Sequence, residues 1–145
     1  LHGAQLWIAL PAGKEAIEPA FQHYSHLPEW RLGGLQYTLL AGQFQNQTSP
    51  VAVHSPLLGI DIFAPNGSAA TTVTLNTAFE HGIMVLNGEV QLPDGQVIKP
   101  GILAYWPPGT SILNFSRLIL LNSLVDMKVV PTGSVSIAKC PVFNV

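Results

Sequence analysis

Glycine and proline interrupt this chain so often that a long helix has nowhere to form. Thirteen glycines and twelve prolines cut the 145 residues into short apolar runs. The runs recur at about 8- to 12-residue intervals, the spacing of a sandwich or barrel of short strands. Between Gly3 and Leu10, Leu6, Ile8 and Leu10 alternate with Gln5, Trp7 and Ala9, the pattern of a strand that Pro11 stops. From Pro11 to Gly34, with prolines at 11, 19 and 28, the chain reads as a long connection. Strands are predicted over Leu35–Ala41 and, after the polar loop GQFQNQTSP, over Leu57–Ala64, with Pro65-Asn66-Gly67 as a turn. Thr71–Leu75 and His81–Leu86 follow, and Asn87-Gly88 signals a type I′ hairpin into Glu89–Leu92. Pro93-Asp94-Gly95 is another tight turn, before Gln96–Ile98, Ile102–Trp106, Thr110–Phe115 and Leu118–Leu121. About ten strands without a helix make an antiparallel β-barrel or sandwich the economical fold.

The length suits one domain. Apolar residues make up 48% and charged ones only 10%, with a mean hydropathy of +0.34, yet no apolar run approaches the roughly 18 residues of a membrane-spanning helix. So little charge predicts apolar surface hidden against a partner, either a domain preceding this one or a second copy in a homodimer. Lys14, Arg31, Lys99, Arg117, Lys128 and Lys139 are scattered in a chain of net charge −2, so no basic stripe offers itself to nucleic acid. A single cysteine, Cys140, excludes an internal disulfide framework and favours a reducing cytoplasm, or a nucleus in a eukaryote. LHGAQLW has neither an initiator Met nor the charged and apolar regions of a targeting segment, and reads as part of something longer. The triplets at Asn46, Asn66 and Asn114 match glycosylation sequons, which matter only in a secreted protein.

Two blocks in the second half carry the expected chemistry. Gly101 is followed after five residues by Pro107, then by Pro108-Gly109, by Ile112 two residues further on and by Ser116 beyond it. This resembles the second signature of the cupin superfamily, G-x5-P-x-G-x2-H-x3-N, with isoleucine at the metal histidine. Anchoring the first signature, G-x5-H-x-H-x3 or x4-E-x6-G, on Gly88 puts its glutamate at His81. Its two histidines then fall on Leu75 and Thr77, or with the longer spacing on Thr74 and Asn76. A tightly held divalent metal needs three or four convergent imidazole or carboxylate ligands, and one histidine cannot supply them. A metal-free barrel of the cupin type, a jelly roll or double-stranded β-helix, is therefore expected.

HGAQLWIALP, the proline-rich stretch with FQHY, LLAG, HSPLLGIDIFAPNGS and EHGIMVLNGEV together resemble the C-terminal half of the pirin family, over roughly Leu1 to Ser123. Pirins are bicupins whose N-terminal barrel carries the metal, iron, and whose C-terminal barrel usually carries none. The resemblance implies that residues 1–34 are the end of a preceding cupin domain plus linker, 35–123 the C-terminal barrel and 124–145 a divergent tail. After Leu121 the chain reads NSLVDMKVVPTGSVSIAKCPVFNV, of which only CPVFNV echoes the family. The family's metal ligands lie before HGxQLW, so none maps here. The resemblance further implies that a full-length relative is an iron-dependent dioxygenase of the quercetin type, or a redox-linked transcription co-regulator acting through protein contacts. For this chain it implies a structural or interaction role and no catalytic residue of its own.

Motif parity places His81 in the barrel beside Thr74, Asn76, Ile112 and Asn114, a polar patch for a small ligand and the basis of an alternative function as a binding module. A core histidine satisfied by a neighbouring carbonyl is the other reading. His23-x2-His26 with Glu29 has loose metal-site spacing but sits on a proline-rich loop. Trp7, Phe21, Tyr24 and Trp30 form either an interface with the preceding domain or a small local core. Asp61, Glu80, Glu89 and Asp94 show no carboxylate pairing for acid–base work, and neither a nucleophile–base arrangement nor a phosphate-binding glycine loop is evident.

Overall fold

A computed structural model describes residues 8–65 and 70–127, with backbone alone over 119–127. Trp7, most of the strand expected from Gly3, the Pro65-Asn66-Gly67 turn beyond Pro65, Cys140 and the tail from residue 128 lie outside the described residues. Ten strands and no helix make up the described chain. They are β1 (Glu29–Leu32), β2 (Leu35–Phe44), β3 (Gln47–Thr48), β4 (Leu58–Phe63) and β5 (Thr71–Thr74), then β6 (His81–Gln91), β7 (Val97–Ile98), β8 (Leu103–Trp106), β9 (Ile112–Phe115) and β10 (Arg117–Met127). The larger sheet runs β1-β2-β4-β10-β6-β7, with β3 on β2 and β8 on β6, and a two-stranded sheet β5-β9 completes the architecture. Every pairing is antiparallel.

Alternation along the strands explains the core. Leu35, Tyr37 and Leu39 of β2, Leu58, Ile60 and Ile62 of β4, and Ile83 and Val85 of β6 are buried together with Val73, Leu113 and Phe115 of the small sheet. Residues two apart share a face of an extended strand, so one face of each contributes to a common interior. Trp30 on β1 stacks on Tyr37 at 5.2 Å and 8°, and Phe44 lies 6.2 Å from the Trp30 ring. Burial pushes the Tyr37 phenol above its ordinary pKa. The neutral phenol is the form the fold stabilises, so its contribution is complete below about pH 10 and disappears as pH rises through the raised value. Tyr37→Phe is expected to move the alkaline unfolding midpoint upward, read by circular dichroism alongside phenolate absorbance.

Four expected features are corrected. Ile8–Leu10 form no strand, and β1 lies inside the stretch expected to be a connection. Gly33 and Gly34 both have positive φ, 61° and 82°, and close β1 onto β2 as a two-residue hairpin of the kind that demands it. Asn87-Gly88, in contrast, turns no corner: β6 runs through it as one strand against β10. A type I′ turn needs positive φ at both central residues, and only Gly88, at 89°, has it. The register shifts opposite Asn87 mark an irregularity of the bulge type, with glycine in the left-handed conformation. β10 also extends to Met127, beyond the strand expected to end at Leu121.

Candidate functional site

The two motif blocks do meet, but through their backbones. Leu75 N–H donates to Ser111 O at 2.8 Å, and Gly109 N–H donates to Thr77 O at 2.8 Å. Gly101 and Gly109 have φ of 83° and 96°, the left-handed turns the glycine spacing requires. Pro107 O accepts from the Thr110 hydroxyl at 2.9 Å, which tightens the same turn.

His81 enters the core at the start of β6, opposite Trp106 of β8, and is 1% exposed. Its Nε2–H donates to Asn76 O at 3.1 Å, and its ring lies 6.3 Å from that of Phe79. This is the carbonyl-bound core histidine of the second reading. Asn76 itself is exposed and spends its side chain on the turn, its Oδ1 accepting from Ala78 N–H at 3.0 Å.

The remaining residues expected around His81 face the other way. In the β5–β9 pair, Thr74 lies opposite Ile112 and Thr72 opposite Asn114. All four belong to the outer face: Ile112 is 49% exposed, and the Thr72 hydroxyl donates to Asn114 Oδ1 at 3.0 Å across the exposed surface. Val73, Leu75, Leu113 and Phe115 turn inward instead. Counting from the motif placed the parity one residue out, and in a strand one residue exchanges the faces. A cavity of about 10 Å³ lies in the core, lined by Phe44, Ile60, Ile62, Leu75, Ile83 and Leu113 among others. It has room for roughly one water and no polar lining to hold it.

Neither motif supplies a metal centre. Ile112, Leu75, Thr77 and Thr74 offer no imidazole or carboxylate, and the Nε2–H of His81 is engaged with a carbonyl. Among the described residues no three His, Cys, Asp or Glu side chains converge as a ligand set, and His23, His26 and Glu29 are no exception. The described residues do not fit a resident iron.

The aromatic group before the barrel is dispersed. Trp30 belongs to the main core, where its Nε1–H is buried without a hydrogen-bond partner. Tyr24 packs with Ile8 and Leu27 over a second cluster of Ala41, Val51 and Leu57. Phe21 is 76% exposed. No helix of the described residues is long and apolar enough to cross a membrane.

A Pseudomonas aeruginosa protein whose name assigns it provisionally to the quercetin 2,3-dioxygenases is 40% identical over 126 residues, covering 83% of this chain and 39% of that relative. A pirin-like protein of Caulobacter vibrioides is 31% identical over 117 residues, covering 78% of this chain and 39% of the relative. The chain belongs to the pirin family. Among solved structures, a quercetin 2,3-dioxygenase from Acinetobacter baumannii superimposes with a TM-score of 0.73 at 33% identity, over 83% of this chain and 39% of that one. GK1651 from Geobacillus kaustophilus, with a TM-score of 0.71 and 17% identity over 84% of this chain and 51% of that one, shares the fold. The fold is of the cupin type. No family model matches the chain. This pirin chain spans about two-fifths of the length of the curated relatives above.

Proposed function

We propose that this chain is a non-catalytic cupin unit of a pirin-like protein, with a structural or interaction role. It would pack against a companion unit that carries whatever metal-dependent, quercetin dioxygenase-like chemistry or co-regulator activity the whole protein has. The observation that carries the reading is the barrel interior, where the described cavity is lined by aliphatic and aromatic side chains and the His81 imidazole is hydrogen-bonded to a backbone carbonyl. Oxidative chemistry on a flavonol would need a chamber for a fused-ring substrate, on the order of 300 Å³ or more. The 10 Å³ cavity among Ile60, Ile62, Leu75 and Ile83 is far too small for that, and His81 does not line it. A single cysteine in the chain supports a reducing compartment, the cytoplasm.

The test is metal analysis of the purified 145-residue chain after exposure to iron, nickel and zinc, paired with thermal melts in quercetin and small carboxylic acids. Metal below about 0.1 equivalent and midpoints moved by less than about 1 °C are expected, since a ligand that does not bind the native state shifts nothing. A stoichiometric metal, or a concentration-dependent rise in midpoint abolished by His81→Ala, would replace this reading with an enzyme or a binding module.

A further inference from the structure

Among the described residues β1 is an edge strand of the larger sheet. It pairs with β2 in the register Glu29↔Thr38, Trp30↔Tyr37, Arg31↔Gln36 and Leu32↔Leu35, and no other described strand lies along it. One bond fixes which of its backbone groups face β2. Leu39 N–H donates to Pro28 O at 2.9 Å, so Pro28 stands at a hydrogen-bonded level of the ladder. Bonded and non-bonded levels alternate between antiparallel strands, which puts Trp30 and Leu32 at bonded levels too, with Glu29 and Arg31 between them. The N–H and C=O of Glu29 and Arg31 therefore point away from β2, toward the outer edge. Side chains alternate as well. Trp30 packs against the core, with Leu32, 54% exposed, on the same side of the strand. Glu29 and Arg31 are exposed on the opposite side, where Arg31 donates to Gln36 Oε1 at 3.5 Å.

We propose that this edge pairs with the same edge of a second copy, β1 against β1 about a two-fold axis, so that the larger sheet runs on from one copy into the other. Such a pair can hydrogen-bond only between residues that both turn their backbone groups to the junction, here Glu29 and Arg31 of each copy. Charge then chooses the register. Centred on Glu29, the pairing sets Glu29 against Glu29; centred on Arg31, it sets Arg31 against Arg31, and like charges directly opposite destabilise a strand pair. Centred on Trp30, it sets Glu29 against the partner's Arg31, and symmetry repeats that match on the far side of the axis. Each of these levels exchanges both its N–H···O bonds while its charges neutralise. On the other face Leu32 comes opposite the partner's Pro28, which draws its apolar side chain out of water. Charged residues usually keep an edge strand from pairing. A glutamate and an arginine two residues apart do so against other strands, yet are complementary to themselves. With four residues a side the contact falls well below the roughly 1,200 Å² of a stable interface, so the dimer is weak and forms with rising concentration.

Sedimentation equilibrium of the 145-residue chain over about a hundredfold range of concentration tests this, with circular dichroism confirming the fold of each variant. The unaltered chain is expected to pass from monomer to dimer. Glu29→Arg, which sets arginine against arginine at both levels, and Arg31→Glu, which sets glutamate against glutamate, should each weaken the dimer about tenfold or more. Glu29→Arg combined with Arg31→Glu restores opposite charges and should recover the dimer to within about threefold of the unaltered chain. Disulfide formation under oxidised glutathione, in a Cys140→Ser background, reads the register. A mixture of the Glu29→Cys and Arg31→Cys variants should cross-link one to the other, because a hydrogen-bonded pair holds its Cα atoms about 5.5 Å apart, within disulfide reach. Either variant alone should cross-link about tenfold more slowly or less. A chain that stays monomeric overturns the proposal, as does a dimer indifferent to both single reversals. Weakening by each reversal without recovery in the combined variant, or rapid cross-linking of Glu29→Cys with itself, overturns the self-complementary register and the proposal with it.

Discussion

Gly42→Ala is expected to unfold the chain, or to remove more than about 3 kcal/mol of its stability, a large loss for a domain of this size. Gly42 sits in β2 with φ of 81°, where any L-residue is strained, and that alone costs about 1–2 kcal/mol. The larger cost is steric. A Cβ there would lie 1.9 Å from Leu57 O and 2.9 Å from Leu57 C. Those atoms are backbone and cannot rotate aside, so β2 and β4 would have to part where Gly42 pairs with Leu58. The neighbouring Ser49 N–H, which donates to Gly42 O at 2.9 Å, would be disturbed with them. Gly95→Ala isolates the backbone term, because Gly95 has φ of 87° and nothing within 4 Å of its would-be Cβ. Urea unfolding of the two variants should therefore show a loss of about 1 kcal/mol at Gly95 and several-fold more at Gly42. Equal losses would mean that the approach to Leu57 is relieved at no cost.

The fold class was legible because glycine and proline spacing with two-residue alternation reports on local backbone, and local backbone is what short antiparallel strands are made of. The long-range features were harder. Asn87-Gly88 is a strong hairpin signal, yet Ile83, Val85 and Val90 on its two sides all belong to the same core, and β10 supplies one long partner for the whole stretch. Tertiary pairing overrode the turn preference there. The Gly33-Gly34 hairpin was equally visible in the sequence, but three prolines upstream directed attention to a connection.

At the candidate site the motif spacing was sound and the parity was not. Leu113-Asn114-Phe115 alternates apolar, polar, apolar, which already places Asn114 outside. That local signal was a better guide to the faces of β9 than a histidine position carried over from a distant pattern. His81 was identifiable as the histidine that enters the barrel interior. The carbonyl that occupies it comes from five residues earlier and depends on the Asn76–Phe79 turn, which spacing alone does not reveal.

Putting a histidine back into the motif tests the parity directly. Ile112→His restores the signature's histidine, leaving Ser116 at its asparagine, and is expected to change stability by less than about 0.5 kcal/mol, as a surface substitution does. It should bind no iron or zinc together with His81, because position 112 lies on the exposed face of the β5–β9 pair and His81 in the core. Leu113→His, one residue on, puts an imidazole among Ile60, Ile62, Leu75 and Ile83 and is expected to cost about 3 kcal/mol or more. Burial disfavours the imidazolium, so the folded pKa of that histidine falls below its unfolded value of about 6.5. The Leu113 variant should therefore lose further stability as pH drops through 6.5, while the Ile112 variant should not. Urea titrations at pH 8 and pH 5.5, with and without zinc, read all of this in one series. Zinc-dependent stabilisation of the Ile112 variant, lost on adding His81→Ala, would show that the two positions share a chamber and that the interior is more than a packed core. Without it, the signature's turn framework and its chemistry are separable in this barrel: Gly101, Pro107 and Gly109 shape the turns whether or not a ligand follows them.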